Sequence, residues 1–207
     1  RDGHPALKQL EDAGYRLVFA TAGKQPDEKE LLEKLPGCAG YLAGVERVSA
    51  RALEAAGDLK VISRNGTGID NIDAEAAERL GITICRTAGA NAKGVAELTI
   101  GLLFALSRHL PRHDAAMKAR AWERTKGIEL EGRTLGLVGC GQIGMETATR
   151  ALGIGMEVLA FRRRPDRGFA PSDRFRWVSF EELLEHSDAV SLHRPANPDG
   201  SPVITAG

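Results

Sequence analysis

Residues 133–164 read RTLGLVGCGQIGMETATRALGIGMEVLAFRRR, and this stretch decides the fold. Leu135, Leu137 and Val138 form an apolar run of strand length, after which Met145, Ala148 and Leu152 recur at helical spacing. Between them stands Gly139-Cys140-Gly141-Gln142-Ile143-Gly144, a Gly-x-Gly-x-x-Gly turn. The helix stops at Gly153 and Gly155, and Met156 to Phe161 supplies the next strand. The whole fits a βαβ crossover of about thirty residues. The three glycines serve different physical ends, since one allows a sharp turn, one lets a pyrophosphate approach the backbone, and one lets the helix pack close to the strand. The helix amino end then offers unpaired N–H groups and its positive dipole end to the phosphates. A purely structural glycine turn is the alternative, and the strand before and helix–strand after argue for a dinucleotide site.

The second strand ends on Arg162, Arg163 and Arg164. A ribose 2'-hydroxyl is usually met by an Asp or Glu about twenty residues after the glycine motif. A guanidinium fork has no acceptor for a hydroxyl and suits a 2'-phosphate, which predicts NADP(H) over NAD(H). A solvated basic turn is the alternative, and Asp166 lies close enough in sequence to reach a ribose.

The 207 residues carry 28 Lys and Arg against 28 Asp and Glu, with a pI near 7.1. Nothing in this balance steers the chain to nucleic acid or to a membrane surface. Cys38, Cys85 and Cys140 lie in apolar runs without C-x-x-C spacing, which reads as buried free thiols in a reducing compartment, the cytoplasm. No metal site is expected. The longest apolar stretch, Leu98 to Leu106, has the periodicity of a soluble helix.

Ahead of the crossover, helices are expected over 5–13, after Asp27 with Glu30 as a capping pair, after Ser49 and after Asp73. Strands are expected at Tyr15–Ala20, Gly40–Ala43, Lys60–Ser63 and Ile82–Cys85. This alternation implies a parallel sheet covered on both faces. From Val95 the positions Leu98, Leu102, Ala105 and Leu106 mark a long helix, read as hinge, dimer contact or ordinary core, with a more polar helix after Pro111. Beyond the crossover come a strand near Arg176 to Val178, a helix opened by Ser179 and Glu182, and a strand from Ala189 to His193. A dinucleotide domain normally has about six strands. The expectation is therefore that strands are missing past the carboxyl end, as one is ahead of the first helix.

Two loops bear on chemistry. Asn65-Gly66-Thr67-Gly68-Ile69-Asp70-Asn71-Ile72-Asp73 follows a buried strand and precedes a helix, so its glycines can present bare N–H groups to a carboxylate. The alternative is a glycine turn with Asp73 as an N-cap. Asn91, in Gly89-Ala90-Asn91-Ala92-Lys93, can donate and accept at the crossing between domains, or bond its own backbone.

With VISRNGTGIDNID, NAKGVAELTIGLL, WERTKGIELEGRTLGLVGCGQIG and DAVSLHRPANP in this order, nearly the whole chain resembles the D-isomer-specific 2-hydroxyacid dehydrogenases, most closely their phosphoglycerate dehydrogenase branch. The resemblance implies an α/β protein of two doubly wound parallel-sheet domains. Residues 1–90 would be a flavodoxin-like substrate-binding domain and 91–207 a Rossmann dinucleotide-binding domain, both truncated. It further implies a homodimer, with substrate and nicotinamide in the cleft between the domains. The family's carboxylate-binding backbone falls on Gly66, Thr67 and Gly68, with Thr67 also at the cofactor, and its substrate-side Asn on Asn91. Its cofactor contacts fall on Gly139, Gly141, Gln142, Ile143 and Gly144, and on the loop His193, Arg194 and Pro195. The acidic ribose residue falls on Arg162, with Arg163 beside it.

The implied activity is NAD(P)-dependent hydride transfer between nicotinamide and C2 of a small D-2-hydroxyacid or 2-oxoacid. The family's catalytic Arg, Glu and His are expected downstream of residue 207, so no catalytic residue is assigned here, and the segment alone is expected to turn nothing over. Ala43 stands loosely where phosphoglycerate dehydrogenases often carry a base for the phosphate, which brings in glyoxylate and hydroxypyruvate as substrates. The alternative is a non-catalytic dinucleotide-sensing protein-interaction module of the corepressor type.

Overall fold

Short polar side chains decide where the helices of the amino-terminal half begin. A computed structural model describes residues 4–197 and 199–205. Here α1 (Pro5–Asp12) starts where the His4 ring accepts from the Ala6 amide at 3.2 Å. α2 (Glu28–Lys34) starts where Asp27 accepts from the Glu30 amide at 2.9 Å. After β1 (Gly40–Ala43), Ser49 caps α3 (Ala50–Ala55) at 3.2 Å. After β2 (Val61–Arg64), Asp73 caps α4 (Ala74–Arg79) at 2.9 Å, and β3 (Thr83–Arg86) follows. Each such cap contributes about 1 kcal/mol by satisfying one amide that the helix cannot.

The chain divides into two compact units at Ala90–Asn91. In the first, β1, β2 and β3 lie side by side in that order and all run parallel. Ile62, with no exposed surface, centres a core built from Leu31 and Leu35, Ala52 and Leu53, and Ala76 and Ala77 of the three surrounding helices.

Three expectations fail in this unit. Residues 15–20 form no strand, and Tyr15, Val18 and Phe19 are exposed. Propensity alone does not make a strand, which needs a neighbour to pair with and a surface to bury. Glu30 does not reach back to close a capping box; its carboxylate accepts from the Thr21 amide at 2.6 Å and hydroxyl at 2.8 Å, contacts that hold its pKa below the ordinary value. The three cysteines are free, but only Cys140 is buried. Along β3 the side chains alternate, Ile84 turning inward and Cys85 outward, so an apolar run does not bury every member.

The second unit opens with α5 (Ala92–Ser107) and α6 (Leu110–Lys118). β4 (Thr134–Val138), α7 (Gln142–Gly153), β5 (Glu157–Phe161), β6 (Phe175–Trp177), α8 (Phe180–His186) and β7 (Ala189–Leu192) follow. The sheet order is β6-β5-β4-β7, all parallel. Leu135, Leu137, Val158 and Ala160 pack with Leu103 of α5 and with Ala148, Ala151 and Leu152 of α7. Val138 and Leu159 point to the other face and pack with Leu183 of α8. Both faces are covered, hence the near-continuous apolar run in β4. At Gly136 a methyl group would lie 2.6 Å from Leu183 Cδ2, so its absence lets α8 approach β4.

The long helix has two apolar faces. Ala92, Ala96 and Leu103 are buried, whereas Leu98, Leu102 and Leu106 are 63%, 54% and 74% exposed. The leucines read as the apolar face at the sequence level therefore form a surface stripe at i, i+4 and i+8.

Candidate functional site

The three glycines after β4 differ in what surrounds them. Gly139 has φ +93°, and a Cβ placed on it would stand 2.6 Å from the carbonyl oxygen of His193. Its amide donates to Phe161 O at 2.9 Å, fastening the turn to the end of β5. At Gly144 a Cβ would lie 2.7 Å from Gly139 O, so helix and turn touch backbone to backbone. At Gly141 the same construction meets nothing within 4 Å. Gly141 is also the N-cap of α7, and no side chain bonds to that helix start. The middle glycine thus borders open space beside uncapped amides, an arrangement that admits an anion to the backbone.

The strand order adds a second reason. Connections leave β4 toward β5 on one side and arrive at β7 on the other, so the carboxyl ends of β4 and β7 flank the point where the winding reverses. In open parallel sheets, ligands bind in the crevice at that point. The loop after β7 lies there: His193 N donates to Val138 O at 2.8 Å, and Arg194 Cβ would be 3.0 Å from a Cβ on Gly139. Gly139, His193 and Arg194 are thereby brought together; Gln142 and Pro195 are exposed and Ile143 is half-buried.

His193 is half-buried, and its Nε2 lies 3.0 Å from Ser191 Oγ. Burial lowers its pKa, so the folded chain keeps the ring neutral near its ordinary value of 6.5. The unfolded chain then binds more protons as pH falls through about 6.5, and stability falls with it. His193→Gln removes this share of the slope. Melting curves of both proteins between about pH 8 and pH 5.5 check it, and identical slopes would show that folding leaves the proton affinity of the ring unchanged.

Arg162, Arg163 and Arg164 follow β5 and are exposed; among the described residues none pairs with a carboxylate. Arg162 is close enough to the turn for its charge to oppose the effect of burial on Cys140, whose thiol is pushed up to about 11. Asp166 closes its own turn, accepting from the Gly168 amide at 3.1 Å.

In the first unit, Gly66, Thr67 and Gly68 lie just past the carboxyl end of β2, ahead of α4. Gly66 O accepts from the Thr87 amide at 3.2 Å and Thr67 O from Arg86 at 3.5 Å. Asn91 is the N-cap residue of α5. Sequence reasoning missed what lies around this loop: Glu46 and Arg64 are 7% and 8% exposed and belong to one hydrogen-bonded group with Asn71. The charged residue closing the apolar run of β2 was the available signal, but its partners lie far along the chain.

The family described as D-isomer specific 2-hydroxyacid dehydrogenase, NAD binding domain, matches residues 100–207, just over half of the chain. The chain belongs to this family. Human D-3-phosphoglycerate dehydrogenase is 36% identical over 194 residues, which is 92% of this chain and 36% of the human protein. Hydroxypyruvate reductase of Thermotoga maritima is 42% identical over 151 residues, covering 72% of this chain and 48% of that protein. The solved TT0316 protein of Thermus thermophilus has a TM-score of 0.82 at 35% identity, over 95% of this chain and 63% of that one. The NAD+-bound 3-phosphoglycerate dehydrogenase of Entamoeba histolytica has a TM-score of 0.73 at 30% identity, over 93% of this chain and 57% of that one. The chain thus spans between a third and a half of the length of the curated relatives named here. The part matching the dehydrogenase family's NAD-binding domain includes every candidate cofactor residue from Gly139 to Pro195.

Proposed function

We propose that the full-length protein moves a hydride between the nicotinamide of NAD(P)(H) and C2 of a small D-2-hydroxyacid or its 2-oxo partner, of the hydroxypyruvate, glyoxylate or phosphoglycerate kind. The observation that carries this reading is the open space at Gly141 beside the uncapped start of α7. Residues 91–207 act as the dinucleotide domain and residues 1–90 as the substrate domain. Amides of Gly141, Gln142, Ile143 and Gly144 hold the pyrophosphate, Gly139 shapes the turn, and His193, Arg194 and Pro195 line the crevice. Gly66, Thr67 and Gly68 present amides to the substrate carboxylate, Thr67 also faces the cofactor, and Asn91 bonds the substrate side. The bound nicotinamide supplies or accepts the hydride, and the family's proton-transferring His, its supporting Glu and its carboxylate-gripping Arg are assigned to the remainder of the full protein.

The test is the initial rate of NADPH or NADH oxidation by the full-length protein with hydroxypyruvate, glyoxylate and 3-phosphohydroxypyruvate. Absence of turnover on every 2-oxoacid overturns the reading.

Arg162 and Arg163 replace the acceptor that a free ribose hydroxyl needs, and NADPH is the expected cofactor. Charge-assisted hydrogen bonds are worth about 1.5–3 kcal/mol. Arg162→Ser should therefore lower kcat/KM for NADPH by about 10- to 100-fold and leave the value for NADH within about threefold. Wild-type preference for NADH would defeat this assignment.

The stripe of Leu98, Leu102 and Leu106 on α5, with Leu110 and Met117 exposed on α6, supports a homodimer that covers them. Among the described residues no helix is long and apolar enough to cross a membrane. The free thiols fit the cytoplasm.

A further inference from the structure

One amide side chain ties the loop after β2 to the chain leaving β1. Asn71 Nδ2 donates to Gly44 O at 3.2 Å and to Glu46 O at 2.6 Å, while Asn71 Oδ1 accepts from Arg64 Nε at 3.2 Å. Arg64 Nη1 in turn donates to Asn65 O. The acceptors are themselves held in place. The Glu46 carboxylate accepts from the Tyr41 hydroxyl at 2.5 Å and from the Gly44 amide at 2.7 Å, which fixes the backbone that Asn71 binds. Backbone bonds complete the anchorage at both ends of the loop: Asn65 N donates to Ala43 O at 2.8 Å and Val48 N to Asn71 O at 2.7 Å.

Between these anchors lie Gly66, Thr67 and Gly68. The Arg64 guanidinium lies against Gly66, where a Cβ would stand 2.8 Å from its Cζ. A stretch with two glycines has much conformational freedom to lose, about 1–2 kcal/mol per residue ordered. Amides that receive a carboxylate bind it better when that ordering precedes the ligand.

From this we propose that Asn71 is the positioning residue of the loop: it makes no contact with substrate, and acts through Arg64 and the Gly44 and Glu46 carbonyls to hold Gly66–Gly68 in the shape that receives the carboxylate of a 2-oxoacid. The inference rests on the reading of the preceding subsection. Only an amide serves here, because the position calls for two donors and one acceptor on one short side chain. A carboxylate would face two carbonyl oxygens, and a hydroxyl would be too short to span the three partners.

The test uses the full-length protein with Asn71→Ser and Asn71→Asp. KM for hydroxypyruvate should rise at least about tenfold in both, with kcat within about threefold of wild type. A residue that only supports folding would reduce the number of active molecules, lowering kcat at constant KM, so an unchanged KM in both variants overturns the proposal. So does loss of the wild-type melting transition in both, since Asn71 would then hold the fold rather than the loop. Should the wild type turn over no 2-oxoacid, the preceding reading fails by itself and loop order is read directly. Amide hydrogen exchange over residues 65–70 should then be at least about tenfold faster in Asn71→Ser than in wild type, and equal rates overturn the proposal.

Discussion

Gly141→Ala should weaken NADPH binding by about a hundredfold, or ~2.7 kcal/mol, while the melting temperature stays within about 2 °C of wild type. The two halves of this expectation have separate causes. A methyl group at 141 meets no protein atom within 4 Å, and the residue's φ of −90° is one that any amino acid adopts. Folding therefore has no reason to suffer. The same methyl group would stand in the space through which a pyrophosphate must come to reach the amides of α7, and would hold its oxygens beyond hydrogen-bond distance. Fluorescence titration and calorimetry on the full-length protein read the two quantities independently. Wild-type affinity in the variant would mean that phosphates do not lie against this turn.

Gly139→Ala should do the opposite in kind: lower the melting temperature by about 10 °C, with cofactor binding lost as a consequence. A left-handed backbone costs a residue with a Cβ about 1 kcal/mol. The new methyl group would also be 2.6 Å from His193 O and 2.8 Å from His193 C, backbone atoms of the neighbouring strand's exit that cannot swing away like a side chain. Overpacking of this sort adds about 1–3 kcal/mol. The structure can accommodate it only by parting the ends of β4 and β7. Equal melting temperatures for the Gly139 and Gly141 variants would show that the turn yields more easily than its geometry implies.

The legible parts of this fold are those written in short-range chemistry. The β4–α7–β5 crossover is visible because the apolar period changes at a glycine motif, and Asp27, Ser49, Asp73 and Ser179 announce helices because a cap needs only the amides two or three residues on. Tyr15–Ala20 carries the composition of a strand but not the partner that would make it one. The orientation of α5 was illegible for another reason: a helix apolar on most of its circumference does not say which side meets the core, and Ala96 and Leu103, not the leucines at 98, 102 and 106, turned inward. In the candidate site, the glycine turn could be placed from spacing alone. The group formed by Glu46, Arg64 and Asn71 could not, since Asn71 reaches acceptors 25 and 27 residues earlier in the chain and no local pattern encodes such a meeting.

The position of β7 in its sheet has a consequence for biosynthesis. Leu135 pairs with Ala189, so β4 waits while more than fifty intervening residues leave the ribosome before its second edge is taken. Until then the nascent domain has a glycine turn with only one flank. Docking of the segment ending at Leu192 is therefore the step that gives β4 its second neighbour and brings His193 against Gly139.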